Sequence, residues 1–336
     1  MDKFNLLTIG DTAIDAFVRL NEAELYCDIN REECKICLKF ASKVPYESIS
    51  EIPAGGNSAN VAISGAKLDL TTAYFTNIGD DDNGQKILAK LKNANVDTSF
   101  IKIHANLATN YNFVLWYADD RTILVRHENY PYELPTLPQS DWVYLTSLGE
   151  KSLTLHRELI DHLDDNPETK LAFSPGTMQI RAGRETLAEI YQRTEIFFAN
   201  KQEVMEILNT KEEEASQLAK EIRNLGPKIV VITDGNQGAF ALTDSGFWHS
   251  PIFPTENKLL ERTGAGDAFA SAFLAAFNKG LTVPEALAWG AVNSASVVQK
   301  IGPHEGLLSA QEIEKRLATE DFKVEKIEIE LEKSAV

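Results

Sequence analysis

The chain has 336 residues, of which 43% are hydrophobic, and it carries 33 basic against 50 acidic side chains. The net charge of −17 repels phosphate backbones and anionic membrane surfaces, so we expect neither nucleic acid nor a membrane as a partner. No apolar run approaches the roughly 20 residues that cross a bilayer, and the first ten residues lack the pattern of a secretion signal. The sequence therefore predicts a cytoplasmic protein.

Short apolar, often β-branched runs alternate along the chain with helical patterns. The predicted strands are Leu6–Ile9, Ala73–Asn77, Trp142–Thr146, Leu171–Ser174, Ile196–Ala199 and Ile229–Thr233. The predicted helices are Asn60–Leu68, Gly84–Asn93, Leu153–Leu163, Arg184–Arg193, Lys211–Leu225, Asp267–Lys279 and Pro284–Gln299. Strands that alternate with helices form parallel βαβ units, so we expect a three-layer α/β/α fold with a mostly parallel central sheet.

Polar residues gather where the first predicted strand ends and where the first predicted helix begins. Asp11 and Asp15 follow the strand, and Gly55-Gly56-Asn57-Ser58-Ala59-Asn60 opens the helix. Carboxylate and amide groups beside flexible backbone suit a ligand with many hydroxyl groups, because each can make a directional hydrogen bond. Ordinary turn and capping residues are the alternative interpretation.

Two segments interrupt the alternation of strands and helices. Residues 17–52 form a long polar insertion, and residues 100–130 hold two strand-like runs, Tyr111–Tyr117 and Thr122–Arg126, around Asp119-Asp120. Period-two alternation about a polar turn predicts a half-exposed antiparallel ribbon. We expect a small β appendage that is either an active-site lid or surface decoration.

The cysteines Cys27, Cys34 and Cys37 all lie in the first of these insertions. An odd number of cysteines in one short stretch does not match a secreted disulfide framework. They could supply three ligands to zinc, yet no downstream Cys or His pair completes a known spacing. Unpaired thiols are the interpretation that we prefer.

Further polar residues and glycines follow two later predicted strands, at the end of the sheet where ligands bind in open parallel folds. Glycines there permit tight turning next to a ligand, whereas an ordinary hairpin into Ala239–Thr243 is the alternative. No Gly-x-Gly-x-x-Gly follows the first strand, which argues against a dinucleotide-dependent oxidoreductase. The residues in question are Asn200, Glu203, Thr233, Gly235 and Gly238.

The segment Thr263-Gly264-Ala265-Gly266-Asp267 opens a helix with an aromatic stripe at Phe269, Phe273 and Phe277. Thr263 is predicted to cap this helix, which would leave the backbone N–H groups of the next three residues open to an anion. A carboxylate so close to bound phosphate is unfavourable unless the chemistry uses it, as a base does in phosphoryl transfer. An acidic residue stabilised by the helix dipole is the alternative for Asp267.

Taken together, these motifs resemble the ribokinase-like family of carbohydrate and nucleoside kinases, known as PfkB kinases. The resemblance is ordered and covers nearly the whole chain, and its last motif is the most specific. The motifs are Gly10-Asp11…Asp15, Gly55-Gly56-x-x-x-Asn60, Asn77-Ile78-Gly79-x-Asp81-x-x-Gly84, Ala94-Asn95-Val96-Asp97, Asn200-x-x-Glu203, Thr233-x-Gly235-x-x-Gly238 and Thr263–Asp267.

This resemblance implies an ATP-dependent kinase that phosphorylates a hydroxyl group of a small sugar or nucleoside, with Mg²⁺ as a cofactor. It implies that Asp267 is the base and that the backbone of Gly264, Ala265 and Gly266 forms the anion hole. Glu203 would hold Mg²⁺ through water. The implied nucleotide contacts are Asn200, Glu203, Thr233, Gly235, Gly238 and Asn293, and the implied acceptor contacts are Asp11, Asp15, Gly55, Gly56, Asn60 and Asp267.

The resemblance also implies a division of the chain into two parts. Residues 1–16, 53–99 and 131–336 would form an α/β core that is ribokinase-like, and residues 17–52 and 100–130 would form a β lid. Exposed strand edges in such a lid make a lid-mediated homodimer reasonable.

The chain departs from the family at two places. Many members carry Asp-Thr before the last motif, and the aspartate is associated with a monovalent cation; here Glu261 and Arg262 stand there, so dependence on K⁺ stays open. Arg262 would instead bring positive charge near the nucleotide phosphates. Asn57 replaces the lysine of the ribokinase subgroup, so the acceptor need not be ribose. An inactive sugar- or nucleoside-binding regulator of the same fold is the second hypothesis, and the retained Asp267 argues against it.

Overall fold

The computed structural model describes residues 3–27, 34–118, 120–255, 259–260 and 262–329 of the chain. The strands are β1 (Phe4–Ile9), β2 (Ala13–Leu20), β3 (Glu24–Cys27), β4 (Cys34–Cys37), β5 (Tyr46–Gly55), β6 (Thr72–Phe75), β7 (Asn77–Gly79), β8 (Lys102–His104), β9 (Tyr111–Tyr117), β10 (Asp120–Leu124), β11 (Ser140–Leu145), β12 (Lys170–Phe173), β13 (Thr194–Asn200), β14 (Ile229–Thr233), β15 (Ala239–Thr243), β16 (Gly246–Ser250) and β17 (Glu325–Ile327). The α-helices are α1 (Asn57–Lys67), α2 (Asp82–Asn93), α3 (Leu153–Asp165), α4 (Thr177–Ala182), α5 (Ala188–Arg193), α6 (Lys201–Leu208), α7 (Ala215–Asn224), α8 (Ala265–Asn278), α9 (Val283–Val297) and α10 (Ala310–Thr319).

The central sheet has the strand order β17-β16-β15-β14-β13-β12-β11-β1-β6. Its strands from β6 to β14 are parallel, and β15, β16 and β17 extend one edge in antiparallel pairs. The parallel strands are covered on both faces, which explains why runs such as Ile229–Ile232 are apolar without alternation. The predicted α/β class with a mostly parallel sheet is confirmed.

Helices cover the two faces of this sheet with separate apolar clusters. One cluster includes Leu159 of α3 and Leu218 of α7, and the other includes Phe269 of α8 and Leu287 of α9. The predicted aromatic stripe of α8 packs into the second cluster, where Phe273 is fully buried. Within the described ranges, no helix is both long and apolar enough to span a membrane.

A smaller, four-stranded sheet has the order β10-β9-β2-β5. Its strands come from both interrupting segments, and β9 pairs antiparallel with β10, which confirms the predicted ribbon. Asp119, in the predicted turn, lies outside the described residues. The first strand of this sheet begins at Ala13, which pairs with Gly55, whereas the predicted insertion begins only at residue 17. An apolar cluster that includes Ile14, Ala59 and Ile87 joins this sheet to α1 and α2.

The cysteine prediction is wrong for two of the three residues. Cys27 and Cys34 form a disulfide, and Cys37 is a free cysteine. The physical reason is the pairing of β3 with β4, which sets Cys27 directly opposite Cys34. Sequence spacing does not reveal this register, because the hairpin is largely exposed and no buried face selects one pairing of the two strands.

Candidate active site

Helix α8 begins immediately after Gly264, whose φ of 77° is a left-handed conformation that glycine adopts without strain. Gly264 therefore occupies the cap position, and the prediction of Thr263 as the cap is wrong. Ala265 and Gly266 form the first turn, as expected. A β-carbon on Gly266 would meet no atom within 4 Å, so the space in front of this turn is open to a ligand.

Asp267 lies in the same first turn and is buried, with a relative exposure of 9%. Its Oδ2 accepts a hydrogen bond of 2.7 Å from Nδ2 of Asn60. Burial raises the pKa of this carboxyl to about 7; the bond from Asn60 opposes the rise and the negative charge of Glu203 adds to it. A carboxyl with this pKa can exchange a proton near neutral pH.

Asn60 connects helix α1 to the start of α8. While its Nδ2 faces Asp267, its Oδ1 lies 3.0 Å from Nε2 of His304. His304 belongs to the segment that follows α9, and only 8% of its surface is exposed. Three buried polar side chains, distant in sequence, are thus joined in one line.

The predicted acceptor residues Asp15, Gly55 and Gly56 meet where β2, β5 and α1 come together. Oδ1 of Asp15 accepts a hydrogen bond of 2.9 Å from Nδ2 of Asn112. A β-carbon on Gly55 would lie 2.1 Å from Oδ2 of Asp15, and one on Gly56 would lie 2.7 Å from the carbonyl oxygen of Asp11. Gly56 also has a φ of 99°. Only glycine permits these close approaches.

Asp11 lies in the short link between β1 and β2 and is almost fully buried. Its Oδ2 accepts hydrogen bonds from the hydroxyl of Tyr132, at 2.7 Å, and from the backbone N–H of Gly149, at 2.9 Å. His127 Nδ1 lies 3.4 Å from the same oxygen, and this hydrogen-bonding contact raises the pKa of His127. Oδ1 of Asp11 is buried and has no hydrogen-bond partner among the described residues, so its capacity to accept a hydrogen bond is unused.

A cavity of about 240 Å³ lies beside the start of α8. Its walls bring together the predicted nucleotide residues Thr233, Gly235, Gly238 and Arg262 with the first turn of α8. The turn after β14 is both a hairpin into β15 and part of the cavity wall, so the two interpretations of that segment are compatible. Apolar and hydroxyl side chains complete the lining, among them Phe253, Phe269, Ala291, Ser294, Ala295 and Val298.

Asn200 and Glu203 lie next to this cavity at the start of α6, and Asn200 pairs in register with Thr233 of β14. The two residues form a capping box: the Asn200 side chain accepts from the N–H of Glu203, and Oε2 of Glu203 accepts from the N–H of Asn200, both at 2.9 Å. Burial raises the pKa of Glu203. In the part of the chain that the structure describes, no group of three or more His, Cys, Asp or Glu side chains could hold a metal by itself.

Asn293, which the family resemblance implies as a nucleotide contact, does not line this cavity. Its side chain is fully buried, donates to the carbonyl oxygen of Ala268 at 2.9 Å and accepts from the N–H of Leu308 at 3.0 Å. These bonds tie α9 to α8 and to the chain before α10. The neighbouring Ser294 lines the cavity instead, because one residue along a helix turns the side chain by about 100°. Glu261, on which the K⁺ question depends, lies outside the described residues.

Sequence reasoning missed Asn112, Tyr132 and His304. Each makes a hydrogen bond to a predicted site residue from a segment distant in the chain, over 97, 121 and 244 positions respectively. No local pattern marks such residues, because ordinary loop or strand residues have the same spacing and composition. Such residues can be found only from the hydrogen-bonding groups of the predicted site residues that they contact, and those contacts become visible only in three dimensions.

Comparisons with known proteins match most of the chain. The family model described as pfkB family carbohydrate kinase matches residues 21–310. A 5-dehydro-2-deoxygluconokinase of Bacillus cereus is 27% identical over 318 residues, which covers 88% of this chain and 90% of that protein.

Two solved structures share the fold at about one-fifth sequence identity. A nucleoside kinase of Methanocaldococcus jannaschii, an archaeal member of the ribokinase family, superposes with a TM-score of 0.79 at 20% identity and covers 95% of this chain and 100% of its own. The ribokinase of Arabidopsis thaliana, complexed with ribose and ATP, gives a TM-score of 0.78 at 20% identity, with 94% and 99% covered.

Proposed function

We propose, since the chain belongs to the pfkB family of carbohydrate kinases, that it transfers the γ-phosphate of ATP to a hydroxyl group of a small sugar or nucleoside. The observation that carries this proposal is the buried carboxylate of Asp267 in the first turn of α8, beside the backbone of Gly264–Gly266. A base with a pKa raised to about 7 is matched to proton uptake near neutral pH.

The reaction is a direct displacement at phosphorus. The oxygen of the acceptor hydroxyl forms a bond to the γ-phosphorus, its proton passes to Asp267, and the bond from phosphorus to the β,γ-bridging oxygen breaks, so ADP leaves. Backbone N–H groups at the start of α8 stabilise negative charge on the transferred group. The hydrogen bond from Asn60 orients the Asp267 carboxylate, and it also favours the ionised form of that group.

The walls of the cavity beside α8 suit ATP chemically, since the apolar side chains match a base and Arg262 adds positive charge for phosphates. Mg²⁺ supplies neutralisation of the phosphate charge when it is bound. Glu203 would hold it through water, because Oε2 already accepts the capping bond from Asn200. A metal held mainly by phosphates and water needs few protein ligands, which is consistent with this arrangement.

We assign residues 17–52 and 100–130 to a lid, and residues 1–16, 53–99 and 131–336 to the core. Asp15 and Phe17 are two residues apart on β2, so their side chains face the same side of the small sheet. That side borders a cavity of about 450 Å³ between the sheet and residues 301–305. Closure of the sheet over this space would exclude water, which otherwise competes with the acceptor for the phosphoryl group.

The acceptor is a small polyhydroxylated molecule, and the proposal includes both sugars and nucleosides. Asp11 and Asp15 offer carboxylate oxygens that accept bonds from hydroxyl groups. The names of similar proteins suggest specific candidates, namely 5-dehydro-2-deoxygluconate and aminoimidazole riboside. The relatives therefore guide the choice of compounds to test.

The test measures ADP release with Mg·ATP across pentoses, hexoses, hexose phosphates, nucleosides and these two candidates. We expect turnover with at least one acceptor and a fall in kcat of about 10²–10⁴-fold in Asp267→Asn, the range typical of a lost general base. Binding of an acceptor with no Asp267-dependent turnover for any compound would instead identify an inactive ligand-binding regulator.

We also propose that the outer face of the small sheet forms a homodimer. Phe113 and Leu124 pair across β9 and β10, and they are 43% and 52% exposed; Ile49 of β5 is 49% exposed. Exposed apolar patches on a sheet mark interaction surfaces. Sedimentation of the wild type should give a dimer and that of Phe113→Glu a folded monomer; a monomeric wild type would rule the dimer out.

A further inference from the structure

His304 lies between the proposed transfer site and the cavity of about 450 Å³ under the small sheet. It belongs to the segment that links α9 to α10, and 8% of its surface is exposed. Its Nε2 lies 3.0 Å from Oδ1 of Asn60, whose Nδ2 in turn donates to Asp267. The described contacts therefore form one line of three side chains that ends at the proposed base.

The chemistry of the three groups fixes the direction of each bond. Ionised Asp267 can only accept, so the Asn60 amide presents Nδ2 to it and Oδ1 to His304. Oδ1 can only accept as well, so Nε2 of His304 carries the proton and Nδ1 is bare. Nδ1 has no hydrogen-bond partner in the described segments. In this tautomer it carries no proton, so no buried N–H group is left without an acceptor.

We infer that His304 is a positioning residue of the phosphoryl-transfer site, which holds the Asn60 amide in the one orientation that donates to Asp267. This inference rests on the proposed function for its catalytic meaning, but its structural content stands on the two hydrogen bonds alone. Without the donor on His304, Asn60 is free to rotate about its terminal bond, and an inverted amide would set Oδ1 against the carboxylate. The bond from His304 also polarises the amide, which strengthens the bond that Asn60 donates.

The surroundings of His304 keep its donor constant as pH changes. Burial lowers the pKa of His304 to about 3, and the positive charge of Lys90 on α2 adds to this effect. The other charged groups around the cavity are Arg19 and Glu47, which pair with each other, together with Glu51 and Glu305. His304 is thus neutral throughout the range in which Asp267 titrates, so pH dependence near neutrality belongs to Asp267.

A purely structural role is the competing explanation, in which His304 only anchors the segment from Ile301 to Glu305. The two explanations differ in what a substitution changes. An anchor affects stability and leaves the pKa of Asp267 untouched in protein that still folds. A positioning residue moves that pKa, because weakening the Asn60 bond removes stabilisation of the ionised form.

The experiment compares two amide substitutions at this position. His304→Gln places an amide nitrogen close to where Nε2 was, whereas His304→Asn places it where Nδ1 was, out of reach of Asn60. Glu305→Gln is the control, since it changes cavity charge in the same segment without touching the line of bonds. If His304→Asn does not fold, His304→Met supplies a side chain of similar length without a donor.

Two measurements are made on each variant. The first is the pKa of Asp267 by ¹³C NMR of labelled aspartate, assigned with Asp267→Asn; it requires no acceptor. The second is the acid limb of kcat/KM against pH, with whichever acceptor supports turnover. We expect His304→Asn to raise both pKa values by about half to one unit, which lowers kcat/KM about three- to tenfold at pH 6, with the KM for ATP unchanged.

His304→Gln should restore most of the shift, and Glu305→Gln should show none. The inference is overturned if His304→Asn, folded but less stable, has the wild-type pKa at Asp267, or if His304→Gln behaves like His304→Asn. Absence of turnover in the wild type with every acceptor would contradict the proposed function instead, and the NMR result would still decide the role of His304.

Discussion

Asn60 donates a hydrogen bond of 2.7 Å to Asp267 across 207 positions of sequence. The bond is buried and links the start of α1 to the start of α8, so it joins the two helices that carry the predicted acceptor and phosphoryl contacts. A buried carboxylate has lost water, and this amide replaces part of that solvation. The strength of the proposed base therefore depends on a residue that belongs to a different motif.

Removal of this bond tests that dependence. Asn60→Leu keeps a similar volume and removes the donor, so the pKa of Asp267 should rise further and less of the carboxyl should be ionised at pH 7. We expect kcat/KM for the acceptor to fall about 10–100-fold, with part of the loss recovered at pH 9. A loss of equal size at every pH would show that Asn60 contributes only acceptor contacts.

Asp267 should lower the stability of the native protein at neutral pH. Its folded pKa of about 7 lies above the usual value of 3.8, so stability from this group is present below about pH 4 and is lost as pH rises to 7. Asp267→Asn removes this titration and should gain about 2–4 kcal/mol above pH 7, with the gain shrinking towards pH 4. Urea unfolding at pH 4, 5, 6, 7 and 8 measures it; a gain independent of pH would contradict the raised pKa.

Substitution of Gly266 should change activity without lowering stability. A β-carbon there meets no atom within 4 Å and the residue is helical, so Gly266→Ala should leave stability unchanged or raise it by about 0.5–1 kcal/mol. The methyl group would lie where the phosphoryl group is proposed to approach the backbone, so kcat should fall about tenfold or more. Thermal melting and ADP release on one preparation test both; full activity would place the phosphoryl group elsewhere.

Gly55→Ala should weaken the binding of the acceptor and leave the binding of ATP nearly unchanged. Its β-carbon would lie 2.1 Å from Oδ2 of Asp15, so that carboxylate must move away from Asn112. We expect the KM for the acceptor to rise about tenfold or more and the KM for ATP to stay within about twofold. Ala54→Gly is the matched control, because Ala54 has a φ of 61° that glycine tolerates better. An unchanged acceptor KM in Gly55→Ala would remove Asp15 from the site.

Asn293 and Ser294 should give opposite results. Asn293→Ala removes a donor and an acceptor that satisfy backbone groups of Ala268 and Leu308, so stability should fall by about 2–3 kcal/mol. The KM for ATP should be unchanged below the unfolding transition. Ser294→Ala should change the KM for ATP and leave stability within about 0.5 kcal/mol. Reversed effects would return Asn293 to the nucleotide pocket.

The sequence predicted features that local patterns determine. Six parallel strands follow from apolar runs, because a strand covered on both faces has no reason to alternate. The sequence does not fix helix ends: the helix expected from Lys211 begins at Ala215. It does not predict α6, because Asn200 and Glu203, which cap that helix, are interpreted as ligands. The same residues satisfy both uses.

The candidate site shows a related limit of local patterns. Motif order singles out Asp267, Asn60, Asp15 and the glycines as predicted site residues, since each motif fixes its own turn or helix start. A motif in a helix does not say which side of that helix faces the ligand, so it does not distinguish the buried Asn293 from Ser294, which lines the cavity. His304 was invisible, because its contact depends on how the segment after α9 packs over α1.

Two of the links between the small sheet and the core are very short, residues 10–12 between β1 and β2 and Gly56 between β5 and α1. The predicted acceptor contacts Asp11, Asp15, Gly55 and Gly56 lie at these same links or at the ends of the strands beside them. Any rotation of the sheet would change the backbone angles of these links, so it would also move the groups that are proposed to hold the acceptor. If the small sheet closes as the proposed lid, acceptor affinity and closure are thermodynamically linked: a ligand that binds the closed form more tightly shifts the population towards that form by the ratio of its affinities.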